Sequence, residues 1–121
     1  MVKALFDTNI LIDFLNGIGE ARSELDRYQD KAISIITWME VQVGTQPADQ
    51  SAVDKFLSLF SVVAIDTLVA SRAVSLRRGQ SIKLPDAIIW ATAQIHSRLL
   101  VTRNSKDFAP SHPGVRIPYV V

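Results

Sequence analysis

Apolar residues along this chain come in short runs that alternate with stretches of helical spacing, so strands and helices are predicted in turn. Val2 to Phe6 is an apolar run closed by Asp7-Thr8-Asn9, which reads as a buried strand whose end caps a helix. Ile10, Leu11, Phe14 and Leu15 give that helix an apolar face, with Gly17 as its left-handed stop. A second helix is expected over Glu20 to Tyr28, where Ala21, Leu25 and Tyr28 recur at i, i+4 and i+7, and a strand over Ala32 to Ile36. Thr37-Trp38-Met39-Glu40 has the T-x-x-E form of a capping box and predicts a short helix closed by Gly44. After the loop Gln46-Pro47-Ala48-Asp49, the positions Val53, Phe56, Leu57 and Phe60 mark an amphipathic helix with Asp49 or Ser51 as its N-cap candidate. A third strand follows over Ser61 to Ile65. Asp66 and Thr67 then open a helix that turns Val69, Ala73 and Leu76 inward and ends at Arg77-Arg78-Gly79. Leu84-Pro85-Asp86 starts another, with Leu84, Ile88, Ala91 and Ile95 on one face. Leu99 to Thr102 reads as a strand, Arg103 to Phe108 as a loop or single helical turn, and Val115 to Val121 as a last edge strand broken by Pro118.

Strands alternating with helices imply right-handed crossovers, and hence an α/β fold whose mostly parallel sheet is covered on both faces. Ligands in such folds gather outside the carboxyl ends of the strands, so the loops after each strand are the places to search. Composition adds bounds to this. At 121 residues and 48% hydrophobic content, without repeats or low-complexity tracts, the chain fits one domain over residues 1–121. It has no cysteine, which excludes disulfides and thiolate metal ligands and suits a reducing cytosol. Asp7 and Asp13 interrupt the apolar amino terminus before a secretory segment or a membrane span is complete, so a soluble cytoplasmic protein is expected. A net charge of +1 does not argue for nucleic acid; such a partner has to be inferred from local basic groups.

The acids carry the chemistry. Each has a structural explanation by itself: Asp7 as the cap of the first helix, Glu40 as the reciprocal partner in the Thr37 box, Asp86 as a first-turn carboxylate on a helix dipole, and Asp107 as a solvated loop acid. Capping does not explain why so many acids follow strands or open helices, positions that share one edge of a parallel sheet. Carboxylates brought within a few ångströms raise one another's pKa unless a cation offsets the charge. Every candidate ligand is a hard oxygen with no histidine or cysteine among them, which favours Mg²⁺ or Mn²⁺ over zinc.

The segments LFDTNILIDFL, ITWMEV, LPDAIIWATA and LVTRNSKDF, in this order over nearly the whole chain, resemble the PIN domain and in particular the small VapC-type ribonuclease toxins. The resemblance implies a PIN-like three-layer α/β/α sandwich and Mg²⁺- or Mn²⁺-dependent endonucleolytic cleavage of RNA by metal-activated water. It also implies a small cognate antitoxin as the inhibiting partner, and a homodimer. Matched motif by motif, the acids carried over are Asp7, Glu40 and Asp86. At the fourth position many relatives have an acid directly after the Thr-Arg pair, where this chain has Asn104, and others have one just before the phenylalanine, where it has Asp107. Asp107 is therefore expected as ligand or supporting acid, with Asn104 facing substrate or water.

Thr8, Asn9 and Thr102 are placed to hydrogen-bond the ligands, although capping and turns explain them as well. Arg103 and Lys106 flank the last motif as grips for an RNA backbone, against solvated surface charge. Arg77 and Arg78 read first as complements to a helix C-terminus. His96 and His112 are assigned no catalytic role, and Trp38 and Trp90 read as packing residues or as part of a dimer interface. Two competing readings differ in class. A phosphohydrolase with Asp7 as nucleophile would want an acid where Asn9 stands. A module that only binds RNA would not need Asp7, Glu40 and Asp86 together.

Overall fold

Ala4, Leu5 and Phe6 are fully excluded from solvent, as expected of a strand covered on both faces. In the computed structural model, which describes residues 1–121, this strand is β1 (Lys3–Phe6). It is followed by α1 (Thr8–Leu15), α2 (Gly19–Asp26), β2 (Asp30–Ser34), α3 (Ile35–Val43), a 3-10 turn (Pro47–Asp49) and α4 (Gln50–Leu57). The chain continues through β3 (Ser61–Val63), α5 (Thr67–Gly79), α6 (Leu84–Ile95), β4 (Leu99–Val101) and β5 (Val115–Arg116). The five strands form one sheet in the order β3-β2-β1-β4-β5. Every pairing is parallel, so the expected mostly parallel sheet is wholly so.

Alternation along the central strands divides the interior in two. Ala4, Phe6, Ile33 and Val101 face a cluster built with Ile10, Leu11, Leu25, Val53, Phe56 and Leu57 from α1, α2 and α4. Leu5, Ala32 and Leu100 face the opposite cluster, built with Val69, Ala73 and Leu76 of α5 and Ala87, Trp90 and Ala91 of α6. These are the helical layers of a three-layer α/β/α sandwich. Phe6 anchors the first cluster by edge-on contacts to Tyr28 and Phe60, with ring centroids 5.6 and 5.9 Å apart.

Several local expectations shift. The chain turns from β2 into α3 earlier than the T-x-x-E pattern suggests: Ser34 is the N-cap, its hydroxyl accepting from the Ile36 amide at 3.1 Å, and Thr37 lies buried inside the helix. Ile35 and Ile36, expected as the end of the strand over Ala32 to Ile36, form the first helical turn. On α6 the expected face holds at Ala91, in the core, and at Ile88, packed against it, but fails at its ends, where Leu84 and Ile95 are 49% and 37% exposed; Ala87, Ile89, Trp90 and Ala93 are buried beside Ala91. Small residues there let α5 and the sheet approach closely, which outweighs the burial value of the larger side chains at the helix ends. Trp38 is 37% exposed and so is not a core residue, whereas Trp90 is buried against Phe108 and His112. β5 is only two residues long, ending ahead of Pro118. Gly17 does stop α1 in the left-handed region, at φ 81°.

The segment after β4 and the carboxyl-terminal tail are held by two charged clusters. Arg116 donates through two nitrogens to Glu24 at 2.6 and 3.0 Å, and Tyr28 donates to the same carboxylate at 2.8 Å. Burial pushes the Glu24 carboxyl up, but these hydrogen bonds hold it below its ordinary value. Arg103 likewise forks onto the buried Asp13 at 2.7 and 3.1 Å, and Tyr119 donates to Asp13 at 2.8 Å. Truncating Arg116 to methionine leaves the buried Glu24 carboxylate with only Tyr28 and the more distant Arg27, and we expect a loss of about 2 kcal/mol in urea unfolding at pH 7, less than for a fully buried pair because Arg116 is 35% exposed. Because the Glu24 pKa is depressed in the folded state, its contribution is present above the ordinary value of 4.5 and lost as pH falls below it, so wild type and variant should converge in acid.

Candidate active site

The sheet order reverses between β1 and β4, where one connection leaves to one face and the next to the other. Asp7 follows β1 at that point and Thr102 follows β4. The Asp7 amide still donates to the Val101 carbonyl at 2.9 Å, so the carboxylate is fixed as an extension of the sheet. Asp7 is also the N-cap of α1: its Oδ1 accepts from the Thr8 amide at 2.7 Å. Its Oδ2 accepts from the fully buried Thr102 hydroxyl at 2.7 Å. Capping and site position are therefore one arrangement.

Glu40 arrives from the second turn of α3. Thr8 Oγ1 lies 2.7 Å from Glu40 Oε1 and 3.0 Å from Thr37 Oγ1. One hydroxyl proton serves one acceptor and an ionised carboxylate has none to give, so Thr8 donates to Glu40 and accepts from Thr37. The pairing expected from the capping box is replaced by contacts that tie α3 to α1. Asp86 stands in the first turn of α6. Asp7, Thr8, Asn9, Ile12, Glu40, Asp86, Arg103 and Asn104 line one open cleft of about 320 Å³.

The acids of the cleft form no ion pair. None of the four ion pairs in the molecule involves Asp7, Glu40 or Asp86. Burial pushes the Asp7 carboxyl up to about 6, the hydrogen bonds from Thr102 and Thr8 oppose the rise, and the charges of Asp86 and Glu40 add to it. Asp86 is raised by burial and by the charges of Asp107 and Glu40, with Lys83 pulling the other way. The donor set is all carboxylate, hydroxyl and amide oxygen, which fits a hard divalent ion. No three acidic or histidine side chains converge as a ready-made cage. Mg²⁺ keeps much of its water and takes few carboxylates directly, so it does not require such a cage.

The remaining sequence candidates sort by what they touch. Asn9 accepts from the Arg103 amide at 3.2 Å and its amide nitrogen lies 3.4 Å from Asp7 Oδ2, so it has no acidic proton to offer a leaving group. Asn104 lines the cleft, yet both its amide atoms engage Asp107: the nitrogen donates to Oδ2 at 2.9 Å and the oxygen accepts from the backbone at 3.1 Å. Asp107 thus stands behind Asn104 and acts on Asp86 by charge. Arg103 is not a free grip for substrate, because Asp13 holds its guanidinium. Lys106 is exposed. Asp13 and Tyr119 were missed from sequence; the available signal was an acid within the apolar helix Asn9-Ile10-Leu11-Ile12-Asp13-Phe14.

The family model described as PIN domain matches residues 4–109. Over 97% of its length the chain is 30% identical to ribonuclease VapC10 of Mycobacterium tuberculosis, covering 93% of that protein. It superposes with a TM-score of 0.92 and 50% identity on a chain of a toxin–antitoxin complex from Klebsiella pneumoniae, covering 98% of this chain and all of that one. A chain of DNA-bound VapBC from Salmonella typhimurium is 26% identical with a TM-score of 0.78, at 96% coverage of each.

A carboxyl held at about 6 in the folded state and at its ordinary 3.8 when unfolded binds its proton more tightly when folded, so stability is full below pH 3.8 and falls as pH rises through 6. Replacing Asp7 by asparagine removes that cost, which is at most about 3 kcal/mol. We expect Asp7→Asn to resist urea better than wild type at pH 7.5 without divalent cations, with the difference vanishing in acid. A variant less stable than wild type at pH 7.5 would show that the Asp7 charge is already offset within the protein.

Proposed function

The chain belongs to the PIN domain family, and on that premise we propose that it is the ribonuclease toxin of a toxin–antitoxin pair, cleaving RNA with Mg²⁺ or Mn²⁺. The observation that carries this reading is the cleft in which Asp7, Glu40 and Asp86 gather with no ion pair to any of them. Its relatives support the biology: one is named a ribonuclease and others are chains of toxin–antitoxin complexes. RNA as substrate and a small antitoxin as partner follow from that kinship.

Asp7 and Asp86 would hold the ion, with Asp107 adding negative charge from behind Asn104. When bound, the ion supplies Lewis acidity for the attacking water and neutralises charge on the phosphate oxygens. Asp7 keeps one orientation because Thr8 engages its Oδ1 while Thr102 and, more weakly, Asn9 engage its Oδ2, which leaves Oδ1 with a further lone pair. Glu40, oriented by Thr8 through one oxygen only, takes the proton of the attacking water as general base. Water as nucleophile leaves the ribose 2′-hydroxyl uninvolved, so the products carry 5′-phosphate and 3′-hydroxyl ends.

Purified protein incubated with single-stranded RNAs should cut them only with Mg²⁺ or Mn²⁺, and EDTA should stop the reaction. Asp7→Asn and Asp86→Asn should each slow cleavage about 100-fold or more while remaining folded. Mg²⁺ should also raise the melting temperature of wild type and not of Asp7→Asn, an effect independent of turnover. Cyclic phosphate products, or unimpaired cutting by folded Asp86→Asn, would refute the mechanism.

A further inference from the structure

The cleft that would receive an RNA phosphate is lined by three carboxylates, and its one cation, Arg103, is committed to Asp13. A polyanion cannot be held there by the cleft alone. A second concavity of about 560 Å³ is lined by residues 77–83, Arg77-Arg78-Gly79-Gln80-Ser81-Ile82-Lys83, which carry three cations and no acid. This is the loop that delivers α6: Lys83 is the N-cap of α6, three residues ahead of Asp86, and it acts on Asp86 by charge. The loop is built rather than loose. Ile82 is 2% exposed and packs in the core under α5 and α6. The Arg77 guanidinium donates to the Ile82 carbonyl across the turn. Arg78 and Lys83 are exposed and form no ion pair.

Resting on the reading of the cleft as a ribonuclease centre, we infer that the α5–α6 loop is the substrate path, with Arg78 and Lys83 gripping successive phosphates of a single RNA strand whose scissile phosphate lies over Asp7 and Asp86. Arg77 shapes the loop and the exposed pair carries the charge. Attraction at the rim offsets the repulsion inside, and it is sequence-independent, as backbone contacts are. The net charge of +1 hides this because the acids and the cations line separate concavities.

The test measures binding apart from cutting. In an Asp7→Asn background with Mg²⁺, a short fluorescein-labelled single-stranded oligoribonucleotide is titrated by anisotropy at several salt concentrations. Arg78→Ala with Lys83→Ala should weaken binding about 10-fold at moderate salt and flatten the log Kd against log salt slope by about 1.4, the value for two lost phosphate contacts on a single strand. Arg78→Lys with Lys83→Arg should bind nearly as wild type does. Unchanged affinity and slope in the alanine pair, or a conservative pair as weak as the alanine pair, would overturn the path. With Asp7 restored, wild type that cuts RNA while the alanine pair binds normally sinks the path and leaves the ribonuclease. Wild type that cuts nothing while binding follows these charges sinks the ribonuclease and leaves an RNA-binding loop.

Discussion

The burial of one carboxylate governs this molecule. Asp7 is 4% exposed at the carboxyl end of the central strand, where it continues the β1–β4 ladder and opens α1. A carboxylate in that position costs folding energy in its ionised form, and the hydrogen bonds from Thr8 and Thr102 recover only part of it. Two more acids in the same cleft add to the cost instead of relieving it. A fold selected only for stability would place a neutral amide there, which still accepts hydrogen bonds without a buried charge. The arrangement makes sense when positive charge comes from outside the chain, as a divalent ion.

The geometry behind this follows from topology. Because β1 is flanked by β2 on one side and β4 on the other, with helices leaving to opposite faces, the ends of β1 and β4 frame a crevice that no helix covers. α3 and α6, packed at that end, bring Glu40 and Asp86 to its walls. Thr37 illustrates how closely this is fitted: a residue that reads as a helix cap is instead fully buried and hands a hydrogen bond through Thr8 to Glu40.

Much of this was legible in sequence. The order of strands and helices, the parallel sheet, the left-handed stop at Gly17 and the convergence of Asp7, Glu40 and Asp86 on one cleft follow from local spacing and family motifs. What was not legible depends on partners far apart in the chain. Thr102 meets Asp7 across 95 residues and Arg103 meets Asp13 across 90. No periodicity encodes such pairs, so Arg103 read as a free cation when it is an internal brace. The ends of the inward face of α6 were misread for a related reason: size predicts burial only when the space is open, and close packing by α5 favours Ala87 and Ala93 over Leu84 and Ile95.

The α5–α6 pair shows how one packing solution can set two functions at once. Small residues along α6 bring α5 close enough that the residues between them make a tight turn, anchored by Ile82 below and by Arg77 across it. That anchoring fixes where α6 begins, and so where Asp86 points. It also fixes where Arg78 and Lys83 emerge, with Lys83 one turn ahead of Asp86. An acid at the ion and a cation at the rim repel different partners, and separating them by one helical turn lets a near-neutral chain present both. Loosening the turn would blur that separation, since Lys83 could then fold onto Asp86 and neutralise the charge on which ion binding depends.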